Sequence, residues 1–206
     1  MQILGLEPTV IKRKKGQNEY LIWSAKAGAA LTLYEKSHVL YLLRQEFNPH
    51  VTALSGEAFQ VKTAYGTAVM PISAKLGDQL KLAVFDAPQV IVQQVAVLCE
   101  QRDWVLDVIT TSPHTDSSHE FWNLLEMQQW LLRWGGSVRE KDIQIFAKSM
   151  RPGHAFALQQ QLSSEDAVTQ LTMVYELVRR GRLLLQDICS RRICQESIFL
   201  VQGDAA

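Results

Sequence analysis

Thr67-Ala68-Val69-Met70-Pro71-Ile72 and Gln79-Leu80-Lys81-Leu82-Ala83-Val84-Phe85 are two short apolar runs, parted by Gly77, and both are β-prone. They make the amino-terminal half a sheet protein. Working outward, Val51–Leu54 and Ala58–Thr63 have the same character, with turns at Ser55-Gly56 and Tyr65-Gly66, and Thr9–Lys14 and Glu19–Trp23 flank a turn at Lys15-Gly16. Two helical stretches interrupt the strands. Lys36–Phe47 carries Val39, Leu40, Leu42, Leu43 and Phe47 at helical spacing and is stopped by Asn48-Pro49; Pro88–Arg102 carries Val90, Ile91, Val95 and Leu98 and opens on a proline. Trp104–Thr110 then alternates as a strand. The expectation is a mixed α/β sheet flanked by helices.

The second half changes period. Ser117-x-x-Glu120 has capping-box spacing ahead of Phe121, Trp122, Leu124, Leu125, Trp130, Leu131 and Trp134, a long helix ended by Gly135-Gly136. The three tryptophans read as core packing. Further helices are expected at Arg139–Met150, Gly153–Leu162 and Ser164–Arg180, the last capped by Ser164 and stopped by Gly181. Two short strands, Leu183–Gln186 and Ser197–Gln202, surround a basic turn. Helices followed by a two-stranded ribbon give the pattern of a winged helix-turn-helix. The polar joint Ser112-Pro113-His114-Thr115-Asp116 divides the chain into 1–111 and 112–206.

Composition limits the function classes. With 206 residues, 47% hydrophobic and 20% charged, the chain is ordinary globular protein and has no low-complexity segment. Lys+Arg and Asp+Glu number 21 each, so DNA contact requires a local basic patch rather than a net field. No apolar run approaches the roughly 20 residues of a membrane span, and the first residues lack a signal-peptide order, so a cytoplasmic protein without membrane contact is expected. Cys99, Cys189 and Cys194 are too scattered for a disulfide framework or a zinc site.

The sequence contains no GxxxxGK[ST], GxGxxG, GxSxG or HExxH motif. The five histidines, including His114 and His119, lie too far apart in their local contexts to form a ligand set. Two-metal DNA cleavage needs carboxylates and a lysine around the ion. The candidates are Glu35, Glu46, Glu57, Asp78 and Asp86 with Lys62, Lys75 and Lys81, and none makes an E-x-K pair. Asp78-x-x-Lys81 comes nearest and reads as a solvated turn beside Gly77.

Four stretches, taken in order, resemble the TnsA family, the endonuclease subunit of heteromeric bacterial transposons. They are Ser24-Ala25-Lys26; Leu43-Arg44-Gln45-Glu46-Phe47-Asn48-Pro49-His50-Val51; Cys99-Glu100-Gln101-Arg102-Asp103-Trp104-Val105-Leu106-Asp107-Val108-Ile109-Thr110; and Leu177-Val178-Arg179-Arg180-Gly181-Arg182-Leu183-Leu184-Leu185-Gln186-Asp187 with Arg191-Arg192-Ile193-Cys194-Gln195-Glu196-Ser197. The resemblance implies a restriction-endonuclease-like domain with a PD-(D/E)xK site, then a winged-helix domain. It places the metal-binding Glu at His38, the metal-binding Asp at Ile72, and the paired carboxylate and lysine at Ala83 and Phe85. Glu35 lies one turn before His38.

Isoleucine, alanine and phenylalanine cannot coordinate Mg²⁺, which takes oxygen ligands. Ile72 and Phe85 read instead as core fillers, each contributing roughly 1.5–3 kcal/mol if fully buried. The expectation is therefore a pseudo-nuclease with no metal and no cofactor. It would act in a transposition complex, docking a TnsB-like transposase or a TnsC-like AAA+ regulator at transposon-end DNA, alone or beside an active TnsA paralogue. Lys12, Arg13, Lys14 and Lys15, with Lys26, are candidate phosphate contacts, although a solvated basic turn at Gly16 explains the run equally well. Arg191 and Arg192 are further DNA candidates, and Arg179, Arg180 and Arg182 are partner-binding candidates. The acidic turn Ser164-Glu165-Asp166 argues against base reading by the third helix of the winged domain. Two alternatives stay open: a Mg²⁺-dependent endonuclease using Glu35, Asp78 and Lys81, and a winged-helix DNA-binding regulator.

Overall fold

The computed structural model describes residues 5–111, 119–162 and 166–203. It is a mixed α/β chain of five α-helices and several sheets, and it divides into two compact units, Met1–Glu46 with His50–Asp116 and Phe47–Pro49 with Ser117–Ala206. Among the described residues no helix is long and apolar enough to cross a membrane. The expected joint at Ser112–Asp116, the Ser117 cap, and Ser164 and Glu165 lie outside the described residues.

The first unit contains β1 (Leu6–Thr9), β2 (Tyr20–Ser24), β3 (Ala29–Leu33), α1 (Lys36–Glu46), β4 (Val51–Ser55), β5 (Ala58–Thr63), β6 (Gly66–Met70), β7 (Ser73–Leu76), β8 (Gln79–Phe85), α2 (Gln89–Gln101) and β9 (Val105–Ile109). These strands form a β1-β5-β6 sheet, a β2-β3 hairpin and a β4-β7-β8-β9 sheet. Only the β8–β9 pair is parallel, as its connection through α2 requires. Alternation along β8 decides what each face carries. Leu82 and Val84 join the apolar cluster with Val61, Met70, Ile91, Val95 and Leu98, on the α2 side. Lys81, Ala83 and Phe85 point the other way, and Phe85 and Lys81 touch α1.

One expected strand is shortened and shifted, and two further strands are present. The strand predicted at Thr9–Lys14 is instead β1, ending at Thr9, because Thr9 pairs with Ala58 at the very start of β5 and no partner strand continues beyond it. β3 and β7 were not expected; each is a short rung completed by its neighbours, β2 for the one and both β4 and β8 for the other.

The second unit contains α3 (His119–Trp134), α4 (Glu140–Ser149), β10 (Ala155–Ala157), α5 (Ala167–Arg179), β11 (Leu183–Leu185) and β12 (Ile198–Val201). The helix expected over Gly153–Leu162 is not formed. Gly153 takes a φ of +78°, Ala155–Ala157 pair with β12, and Phe156 stacks on Phe199 with ring centroids 5.9 Å apart. A tertiary pairing partner thus overrides local helix preference, and the sheet has three strands in the order β10-β12-β11. Trp130 is tied to α5, its Nε1 donating to Thr172 Oγ1 at 2.9 Å. Trp122, expected in the core, is 44% exposed, and the Arg192 guanidinium lies over its ring.

Candidate functional site

Helix α1 presents Glu35, just before its first turn, then His38, Tyr41 and Gln45 at steps of three and four, so they form one stripe. That stripe lies along the Lys81, Ala83 and Phe85 face of β8. The His38 ring meets Phe85 edge-on at 4.4 Å between centroids, and Tyr41 meets it at 5.6 Å. His38 and Phe85, named by the resemblance as degenerate catalytic positions, are therefore in contact. Ala83 shares their strand face and is fully buried, and Ile72 is 0% exposed. An apolar contact fills the place where the resemblance puts a carboxylate and a lysine.

The other end of the stripe is polar and was not expected. The Lys81 ammonium sits 2.7 Å from Asp107 Oδ2, and the Tyr41 hydroxyl donates to the same oxygen at 3.0 Å. Lys81 also donates to Gln45 Oε1 at 3.4 Å. Asp107 stands opposite Ala83 in the parallel ladder, one strand over from the degenerate position. Its charge within the alternating run Val105–Ile109 was the only sequence signal for it. Burial and the neighbouring Asp107 carboxylate push the Tyr41 hydroxyl well above its ordinary value, so it stays a neutral donor.

The fallback trio does not assemble. Lys81 is held by Asp107, Asp78 occupies the exposed β7–β8 turn, and Glu35 lies near the far end of β8. The seven residues of β8, at about 3.3 Å each, separate Asp78 from that end by roughly 23 Å. Among the described residues no group of three or more His, Cys, Asp and Glu could hold a metal ion. The Mg²⁺ that a nuclease would use does not fit the side chains present at His38, Ile72, Ala83 and Phe85, three of which have no donor atom.

Beside His38 and Phe85 a cavity of about 550 Å³ opens, also lined by Lys12, Lys14, Glu35 and Asp86. The basic run is thus split: Lys12 and Lys14 line the cavity, while Arg13 pairs with Glu19 at 3.4 Å and donates to the Gln17 carbonyl. Asp86 has a φ of +47° and accepts from both the amide and the hydroxyl of Thr111. Glu35 accepts from Gln17 Nε2 and lies 3.5 Å from His38 Nε2. Burial lowers the His38 pKa, against the upward pull of Glu35 and Asp86.

Lys26 takes a structural position. Its ammonium donates to the Gln45 carbonyl at 2.9 Å in the last turn of α1, where a cation complements the helix dipole. Ser24 Oγ donates to the buried Glu46 carboxylate at 2.6 Å and accepts the Ala27 amide. The Ser24-x-Lys26 element is a clamp on the end of α1.

In the second unit the candidate arginines are engaged inside the protein. Arg180 makes a two-pronged contact with Glu140 at 2.7 and 2.8 Å and donates to Glu176, which also accepts from Arg179. This network ties α5 to α4 and satisfies Glu176, which is only 7% exposed. Arg192 pairs with Glu126, and Arg191 reaches Asp187 and the Glu196 carbonyl. Arg182 closes the turn after α5, its amide donating to the Leu177 carbonyl. Every residue from Thr172 to Val178 of α5 is buried, so this helix is a core element rather than a probe of a DNA groove. Compared with known proteins, the chain matches no family model and no curated sequence.

Proposed function

We propose that this chain is a non-cleaving, TnsA-like component of a DNA transposition complex. In this reading the β4-β7-β8-β9 sheet with α1 and α2 is a restriction-endonuclease-like scaffold, and the second unit is its winged-helix domain. The observation that carries the proposal is the meeting of His38 and Phe85 at 4.4 Å. Positions chosen only by counting along sequence motifs come together on one face, which a chance likeness would not require. The same side chains lack the oxygen ligands that metal-dependent cleavage needs. The β10-β12-β11 order, with strand β10 ahead of a hairpin, supports the winged-helix part.

The partners in this reading are a TnsB-like transposase, a TnsC-like AAA+ ATPase and transposon-end DNA, with an active TnsA paralogue supplying any cleavage. The buried α5 and the internally paired arginines favour protein docking over base reading by the second unit. Affinity purification of the full chain from its native host tests the proposal: recovery of a transposase or an AAA+ ATPase supports it. Recovery of neither, together with tight binding to a single operator sequence, would favour the regulator reading. Nicking of supercoiled plasmid in Mg²⁺ or Mn²⁺ by purified protein would favour the endonuclease reading.

A further inference from the structure

The cavity beside Phe85 combines three recognition chemistries. Lys12 and Lys14 line it, and among the described residues no ion pair or side-chain hydrogen bond engages either ammonium. Tyr34, His38 and Phe85 supply rings within it. Glu35 and Asp86 supply carboxylate oxygens that already accept bonds from Gln17 and Thr111 and keep lone pairs to spare. Its volume, about 550 Å³, lies within the range of pockets that enclose small ligands.

A ligand that uses all three features has an anion, a flat ring and an exocyclic amino group. We infer that the cavity takes one unpaired nucleotide of a DNA strand, its phosphate on Lys12 and Lys14 and its base against His38 and Phe85. This deepens the proposed function, on which it rests for DNA as the polymer. A base inside a duplex cannot reach the rings without leaving its stack, so single strands, flaps and frayed ends are the preferred forms. Carboxylate acceptors favour cytosine, whose N4 amino group donates to Asp or Glu.

The test measures fluorescence anisotropy of the full chain in EDTA with a labelled oligodeoxycytidylate, a closed hairpin duplex of equal length, and free deoxycytidine monophosphate as competitor. The single strand should bind about tenfold or more tightly than the duplex. The Lys12→Gln/Lys14→Gln variant should lower the salt slope by about 0.7, the value for one phosphate of a single strand, and weaken binding, while Arg13→Gln, outside the cavity, should change it little. Phe85→Leu keeps the apolar packing and should cost single-strand affinity alone; circular dichroism checks its fold, and the surface lysine variant stands independently of it. Equal binding of strand and duplex, unchanged by the lysine variant, would overturn the inference and leave the transposition reading in place. Displacement by the free mononucleotide as readily as by the strand would overturn the strand assignment. Failure of every DNA form to bind, with no transposase or ATPase recovered from cells, would overturn both.

Discussion

Replacing Lys81 by Met separates a structural ion pair from a catalytic one. At 2.7 Å and an effective dielectric of about 20, the gross attraction between Lys81 and Asp107 is about 6 kcal/mol. Their side chains are 12% and 27% exposed, so desolvation cancels much of that gain, while water and the Tyr41 hydroxyl still reach Asp107 after the change. The expected loss for Lys81→Met is therefore about 2–4 kcal/mol, below the upper range for a fully buried pair. Asp107→Asn should cost less, since Asn keeps an acceptor for Tyr41, and the double variant should recover at least about 1.5 kcal/mol of coupling. Urea titrations followed by circular dichroism, with amide exchange of β8 and β9, give these values. A change within about 0.5 kcal/mol of wild type for Lys81→Met would refute the buried-pair reasoning. Metal-dependent nicking by the wild type, lost in Lys81→Met or Asp107→Asn, would refute the structural role and mark the pair as a displaced catalytic site.

Gly181→Ala should destabilise the chain by about 2–4 kcal/mol, seen as a lower thermal midpoint, because φ is +70° there and a new Cβ would lie 2.5 Å from Pro49 Cγ. Asn123 is fully buried and bonds the carbonyls of Ile188 and Arg191 and the amide of Ile193, so Asn123→Leu should cost about 3 kcal/mol and speed proteolysis within residues 186–197. pH acts through His38. Its folded pKa lies below its ordinary 6.5, so the unfolded chain binds the extra proton; this stability is fully present above pH 6.5 and is lost as pH falls through the lower folded value. The His38→Gln variant should flatten the urea midpoint over that window. Glu140, held down to about 2 by Arg180, adds a separate loss only as pH falls from 4.5 toward 2, and Glu140→Gln should remove it.

Helix positions were the most legible part of the fold. α1, α2, α3 and α5 carry apolar spacing, with stops at Asn48-Pro49 for α1, Gly135 for α3 and Gly181 for α5 and an opening proline for α2, and each was read within a few residues. Strands that depend on distant partners were not. β3 and β7 have no strong local pattern, and Ala155–Ala157 reads as helix until Phe199 is placed against Phe156. Site chemistry followed the same division. His38 and Phe85 were singled out by motif order, but no local pattern hints that Asp107 crosses to Lys81 or that Lys12 and Lys14 share a cavity with Phe85, since those pairings span 26 and more than 70 residues. Burial was the other illegible quantity. Seven consecutive buried residues of α5 include Thr172 and Glu176, whose partners Trp130 and Arg180 make burial tolerable.

The stripe on α1 changes character along its length. At the Gln45 end the charged groups are matched internally: Lys26 on the Gln45 carbonyl, Lys81 on Asp107, and Glu46 through its Oε2 on Ser24. Groups matched to one another in this way stabilise a helix on a sheet and have little left to offer a ligand. At the Glu35 end the rings of His38 and Phe85 line a cavity that Lys12 and Lys14 also line. Substitutions at the first end should move stability and leave DNA affinity unchanged; substitutions of Lys12 or Lys14 should do the reverse. The two ends lie on different stretches of β8, and Tyr41 touches both, its ring against Phe85 and its hydroxyl on Asp107. The crossed pattern of stability and affinity is the consequence that a fully inert scaffold does not predict.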